Sequence, residues 1–237
     1  MENKNLIIKE IKKGELGTGL LIENDGYIKL DDKYNKQLYE DIRSHQEQDN
    51  GFYIPKPFVV SAIFQKCGIE NANGRIYPEE VLKREIEKFQ KRIAERTAIG
   101  ELNHPEQPII DLERVAIIVT EVHWEGHTVI GKAEIPVSEG YRKFGVCSCK
   151  ADEAANLLMN NILIGVSSRG LGTVSNTYGK TIVNDDYELV CFDVVSEPST
   201  PGAYIKHDEE QLKQYVETQV KEGEMLTDKL KYFSNLL

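Results

Sequence analysis

Apolar and polar positions along this chain follow two rhythms, and together they mark out its elements. After Pro55 and Pro57, the run Phe58-Val59-Val60-Ser61-Ala62-Ile63-Phe64 reads as a strand. Asn71-Ala72-Asn73-Gly74 is a turn signal. Pro78-Glu79-Glu80 then opens a helix, because proline suits a first turn and acids suit its positive end. Leu82, Ile86, Phe89 and Ile93 give that helix one apolar face. Residues 105–108 form a proline-bounded loop. Residues 115–122 and 128–135 are strands joined around Gly126 as a hairpin. A short helix over 151–161 carries Leu157 and Leu158. Two further strands follow, over 162–174 and 187–195. In the tail, Leu212, Tyr215, Val216, Val220, Leu226, Leu230 and Phe233 recur at helical spacing.

This order of elements predicts an α+β fold, a mostly antiparallel sheet or barrel with a few helices. Residues 1–50 are polar and charge-rich and read as an N-terminal arm. Residues 51–206 hold the core, and 207–237 form a helical tail.

Composition narrows the function. The 237 residues carry a formal net charge of −10, and no Lys/Arg stripe stands out, which argues against nucleic-acid binding. No apolar segment is long enough to span a membrane, and the first residues lack a signal-peptide core. Of the four cysteines, only Cys147 and Cys149 are close in sequence. A single C-x-C pair without a second one does not suggest zinc, and no cofactor is expected.

The chemistry centres on Gly165-Val166-Ser167-Ser168-Arg169-Gly170. Strand alternation puts Ser167 with Gly165 and Arg169, and Ser168 with Ile164 and Val166 on the more apolar side. Ser167 is therefore the candidate nucleophile, the alternative being an ordinary strand end. Arg169 reads either as a substrate- or oxyanion-orienting group or as a solvated strand-end arginine. Asp193 sits in Leu189-Val190-Cys191-Phe192-Asp193-Val194-Val195, a run apolar on both faces. A carboxylate buried there needs a partner, whether histidine, arginine or backbone N–H groups. Among five histidines, His104 stands out at an element end in Gly100-Glu101-Leu102-Asn103-His104-Pro105. The order His104, Ser167, Asp193 differs from the trypsin-like, subtilisin-like and α/β-hydrolase orders. A metal-dependent hydrolase using His104, His123 and His127 is a competing reading.

Four stretches carry a family resemblance: Asn73-Gly74-Arg75-Ile76-Tyr77-Pro78, the Gly100 to Pro105 segment, the Gly165 to Gly170 segment, and Asp193-Val194-Val195-Ser196-Glu197-Pro198-Ser199. In this order they resemble the prohead core (prohead maturation) serine proteases of T-even-like tailed phages, related in fold to herpesvirus assemblin. The resemblance runs from about residue 51 to 205. It implies a closed or nearly closed antiparallel β-barrel surrounded by helices. It also implies His104 as base, Ser167 as nucleophile and Asp193 as third member, a position the herpesvirus enzymes fill with a second histidine. Such proteases cleave scaffold and capsid proteins, and themselves, inside the prohead in the host cytoplasm, often after glutamate.

A basic residue would then line the substrate pocket, with Arg169 or Arg75 as candidates. Ser168 is a further substrate or oxyanion candidate, as is the loop over 196–202. Leu21-Ile22-Glu23 resembles a self-cleavage site. The partners implied are scaffold and core proteins, the major capsid protein and further copies of the chain. A catalytically inactive capsid or scaffold protein of the same fold is the other reading.

Overall fold

The computed structural model describes residues 9–28, 33–49, 53–105 and 107–196. In chain order these form β1 (Gly17–Ile28), α1 (Lys36–Asp49), β2 (Phe58–Lys66), β3 (Arg75–Ile76), α2 (Glu79–Ala94), β4 (Ile99–Glu101), β5 (Val115–Glu125) and β6 (Thr128–Ile135). There follow α3 (Glu139–Phe144), α4 (Lys150–Met159), β7 (Ile164–Thr177), β8 (Lys180–Val183) and β9 (Glu188–Val195). The expected helical tail over 207–237 lies outside the described residues. No described helix is long and apolar enough to cross a membrane.

The strands make two sheets. One runs β1-β7-β8-β3, with β9 also pairing β7; the other runs β2-β6-β5-β4. The α+β expectation holds, but no closed barrel is found among the described residues: the strands form two ladders, which the Leu102–Val194 bridge joins along one edge. The sheets share one core instead. On β2, Phe58, Val60, Ala62 and Phe64 alternate inward and meet Val166, Phe192 and Val194 of the other sheet. The Phe64 and Phe192 rings lie 4.8 Å apart. Gly131 on β6 makes room for Phe64, since a Cβ there would come within 2.5 Å of the ring.

The N-terminal arm is corrected in part. Residues 17–28, placed outside the core by the sequence reading, form β1 and pair antiparallel with β7 along its whole length. Leu20 and Leu21 are fully buried, so the strand's own apolar run holds it in the sheet. Leu21-Ile22-Glu23 lies inside that strand, opposite Gly170, Arg169 and Ser168. Cleavage there would require β1 to leave the sheet.

One edge of β9 pairs β7, and the other is closed by α2 and the chain after β4. Phe89 of α2 stacks edge-on against Phe192 at 5.2 Å. The Glu85 carboxylate accepts from Leu189 N at 3.0 Å, Arg92 donates to the Val190 carbonyl, and Asn103 N donates to the Val194 carbonyl at 2.8 Å. These bonds satisfy edge groups that would otherwise invite another strand. They also fix the strand that carries Asp193.

Candidate active site

Three elements bring the predicted residues together. Ser167 on β7 and Asp193 on β9 are direct cross-strand partners, so their side chains share a face. His104 arrives from the turn after β4. Asn103 takes φ +64, a left-handed conformation that asparagine tolerates, and this turns the chain sharply beside β9. Gly100 permits the approach: its Cβ position is 1.8 Å from the Phe192 carbonyl oxygen, so any side chain would clash with backbone.

His104 Nδ1 lies 2.9 Å from Asp193 Oδ2, and its Nε2 meets the Ser167 hydroxyl. With Nδ1–H donating to the carboxylate, Nε2 is left to accept the serine proton. Ser167 and Asp193 are fully buried, while the His104 side chain is 13 % exposed.

The Asp193 carboxylate has further anchors. Its Oδ1 accepts from Glu101 N at 2.8 Å, from Arg169 Nη2 at 3.2 Å and from the Cys191 thiol at 3.3 Å. Arg169 Nε lies 2.8 Å from Oδ2 as an ion pair. Burial pushes the Asp193 carboxyl up. The hydrogen bond from His104 and the Arg169 charge outweigh that and hold it below the usual carboxylate value. Burial, followed by the Asp193 charge, pushes the Cys191 thiol well up, so it stays a neutral donor.

Arg169 differs from its expected role. It is wholly buried and bridges two acids, binding Glu101 Oε1 at 2.9 Å as well as Asp193, and it donates to the Gln107 carbonyl at 2.6 Å. Its guanidinium grips the Asp193 carboxylate through Nη2 and Nε. Burial lowers its basicity, but the negative groups around it raise it further, so it stays charged. Glu101 is held in turn by Arg114 at 3.1 Å and Asp111 N at 2.9 Å. A charged chain thus runs from Arg114 through Glu101 and Arg169 to Asp193.

Arg75 also departs from expectation. It is buried and paired at 2.5 Å with Glu23 of β1, and it donates to the carbonyls of Ile22 and Ile11. Asn71, Asn73 and Tyr77 donate to the same Glu23 carboxylate at 2.6, 2.8 and 3.0 Å. The Asn73 to Pro78 stretch therefore builds a receptor for an acid that the chain itself supplies. Ser168 is fully buried, and its rung partners are Glu23 on β1 and Phe192 on β9, a different face from Ser167. Arg75 and Arg169 are each paired with an acid of the chain itself, Glu23 and Glu101. Of the 196–202 loop, only Ser196 is among the described residues.

Glu23, expected at a self-cleavage site, and Glu101 instead anchor buried arginines, Arg75 and Arg169. Unlike Asp193, Glu23 closes its apolar run, with Asn24 and Asp25 next to it, so the sequence carries a weaker signal of its burial. The metal reading does not gather its residues. His123 lies near Glu121 and Glu125, and His127 near Glu79, while His104 lies at Asp193.

Comparison with known proteins identifies the family. Residues 20–227 match the family model described as prohead core protein serine protease. The chain belongs to this family. Among curated members, the prohead core protein protease of Enterobacteria phage T4 is 32% identical over 191 residues, covering 79% of this chain and 82% of that protein. The solved structure of the bacteriophage T4 capsid assembly protease matches with a TM-score of 0.58 and 25% identity, covering 76% of this chain and 99% of that one. Membership of the prohead core protease family makes the chain a peptidase by kinship.

Proposed function

We propose that this chain is a serine endopeptidase of phage head maturation, with Ser167 as nucleophile, His104 as general base and acid, and Asp193 as the orienting acid. The observation that carries this reading is the position of His104, with one ring nitrogen on the Asp193 carboxylate and the other on the Ser167 hydroxyl.

The chemistry follows from these contacts. His104 Nε2 takes the Ser167 proton as Oγ attacks the scissile carbonyl carbon. Asp193 holds the Nδ1–H and stabilises the imidazolium that forms, remaining ionised itself. Arg169 and the Glu101 N–H keep that carboxylate in place. The imidazolium then protonates the leaving amine, and the acyl group stays on Oγ. Water, deprotonated by the same imidazole, releases it and restores the serine.

The substrates are scaffold and capsid proteins and the chain itself, cut after glutamate, inside the assembling prohead. This rests on the family, whose relatives are named as prohead core and capsid assembly proteases. Self-association of the protease is part of the same reading.

The test is purified Ser167→Ala against wild type on a scaffold-derived peptide. Wild type is expected to cleave after glutamate and to react with a serine-directed phosphonate. The variant should do neither, with an unchanged circular dichroism spectrum. A Ser167→Ala protein that still cleaves assigns the nucleophile elsewhere.

A further inference from the structure

Away from the Ser167 face, three potential ligands from three different elements converge. Cys67 follows β2, His127 sits in the turn between β5 and β6, and Glu79 opens α2. Their ligand atoms lie within 4.8 Å of one another. Cys67 Sγ is 3.7 Å from His127 Nδ1, and His127 Nδ1 is 3.5 Å from Glu79 Oε2. A tetrahedral zinc ion with ordinary bond lengths separates sulfur from nitrogen by about 3.6 Å and nitrogen from oxygen by about 3.4 Å. The two measured edges match those values.

The backbone already holds the ligands. Cys67 N donates to the His127 carbonyl at 3.0 Å, and Gly68 N donates to the Tyr77 carbonyl at 2.9 Å. Lys83 binds the other Glu79 oxygen at 2.5 Å, which leaves Oε2 toward the histidine. Cys67 is buried, whereas His127 is 70% exposed, so ions and water have a route in.

We propose that Cys67, His127 and Glu79 bind one divalent zinc-class ion, with water as fourth ligand, and that this ion pins the β5–β6 turn and the start of α2 to the end of β2. A thiolate, an imidazole and one carboxylate form a donor set that suits zinc over magnesium or calcium. A metal-bound cysteine is a thiolate, so its proton must leave. Binding expels that proton, and affinity therefore rises with pH. Because α2 grips β9, the ion also stabilises the sheet that carries Asp193.

The experiment uses the full chain with Cys147→Ser and Cys149→Ser, which removes the two exposed thiols. Cobalt(II) is titrated and the thiolate-to-cobalt charge-transfer band is followed, with zinc then added as competitor. One equivalent of band, displaced by zinc and accompanied by a higher Tm, is expected. Cys67→Ser should lose the band. His127→Ala, at an exposed position, should keep the fold and weaken metal binding by roughly tenfold or more. Glu79→Gln should also weaken it. No band in the parent protein, or unchanged affinity in both His127→Ala and Glu79→Gln, overturns the site.

Discussion

Ser167 and Asp193 occupy the same rung of the β7–β9 ladder, so their spacing is fixed by backbone hydrogen bonds before any side chain chooses a rotamer. Only His104 is added from outside the ladder. Asp193→Asn should therefore leave the rung intact and spoil the tautomer, because an amide can donate where a carboxylate only accepts. In a Ser-His-Asp arrangement this costs roughly 10⁴-fold in kcat. It also weakens the partnership with buried Arg169, a loss of about 1–3 kcal/mol of stability. Steady-state kinetics and urea unfolding of the same preparation separate the two effects. A variant with near wild-type kcat would remove Asp193 from the mechanism.

Acid should destabilise the fold partly through Asp193. Its folded carboxyl lies below the usual value because the His104 hydrogen bond and the Arg169 charge outweigh burial. The unfolded chain, with an ordinary aspartate near about 3.9, takes up the proton first as pH falls. The stabilisation is thus complete above that value and disappears as pH drops through the folded one. Tm measured across this acid window should fall more steeply for wild type than for Asp193→Asn. Equal slopes would mean that Asp193 is not held in its charged form.

Arg169→Lys should behave as a drastic change. The guanidinium reaches Glu101, Asp193 and the Gln107 carbonyl at once, and a single ammonium cannot reproduce that fork. A loss of about 3–5 kcal/mol is expected from leaving buried acids poorly paired. The kinetic effect should fall on kcat, with KM for a glutamate-containing peptide little changed. A selective rise in KM would show that Arg169 contacts substrate after all.

Asp193 was legible because a lone acid in a strand apolar on both faces is expensive to bury unpaired, and an apolar run is visible without any partner. His104 was legible through its place at an element end. Their mutual contact follows from long-range register, which no local period encodes. For the same reason the two ladders could be mistaken for one barrel. The burial of Arg169 against Glu101 is not legible, because strand spacing places a side chain on a face but does not name its neighbour; Glu101 is 68 residues away. Glycines, Asn24 and Asp25 punctuate β1 and hide its apolar run within a charged segment, so the serine strand's longest partner was read as an arm.

Gly100→Ala should damage both stability and catalysis. The added Cβ meets the Phe192 carbonyl oxygen at 1.8 Å, and neither backbone can yield cheaply. The clash pushes β4 from β9 next to the Glu101 N–H that holds Asp193 and near the turn that delivers His104. Overpacking of this sort costs about 1–3 kcal/mol or more. Thermal unfolding and peptide cleavage should fall together, and an alanine protein with wild-type activity would show that the β4–β9 crossing is looser than described.

Glu23 and Arg75 should be strongly coupled although neither contacts His104, Ser167 or Asp193 through a described hydrogen bond. Glu23 is fully buried and takes donors from Asn71, Asn73, Arg75 and Tyr77, so Glu23→Gln strands a guanidinium that is 2% exposed. Breaking one side of such a pair costs about 3–5 kcal/mol. Arg75→Met should cost a similar amount by stranding the acid. The double variant removes both charges together and should lose clearly less than the sum of the single losses. Urea midpoints for the four proteins measure that coupling. Additive losses would mean that the 2.5 Å pair contributes nothing specific and that β1 is held against β7 by Leu20, Leu21 and the ladder alone.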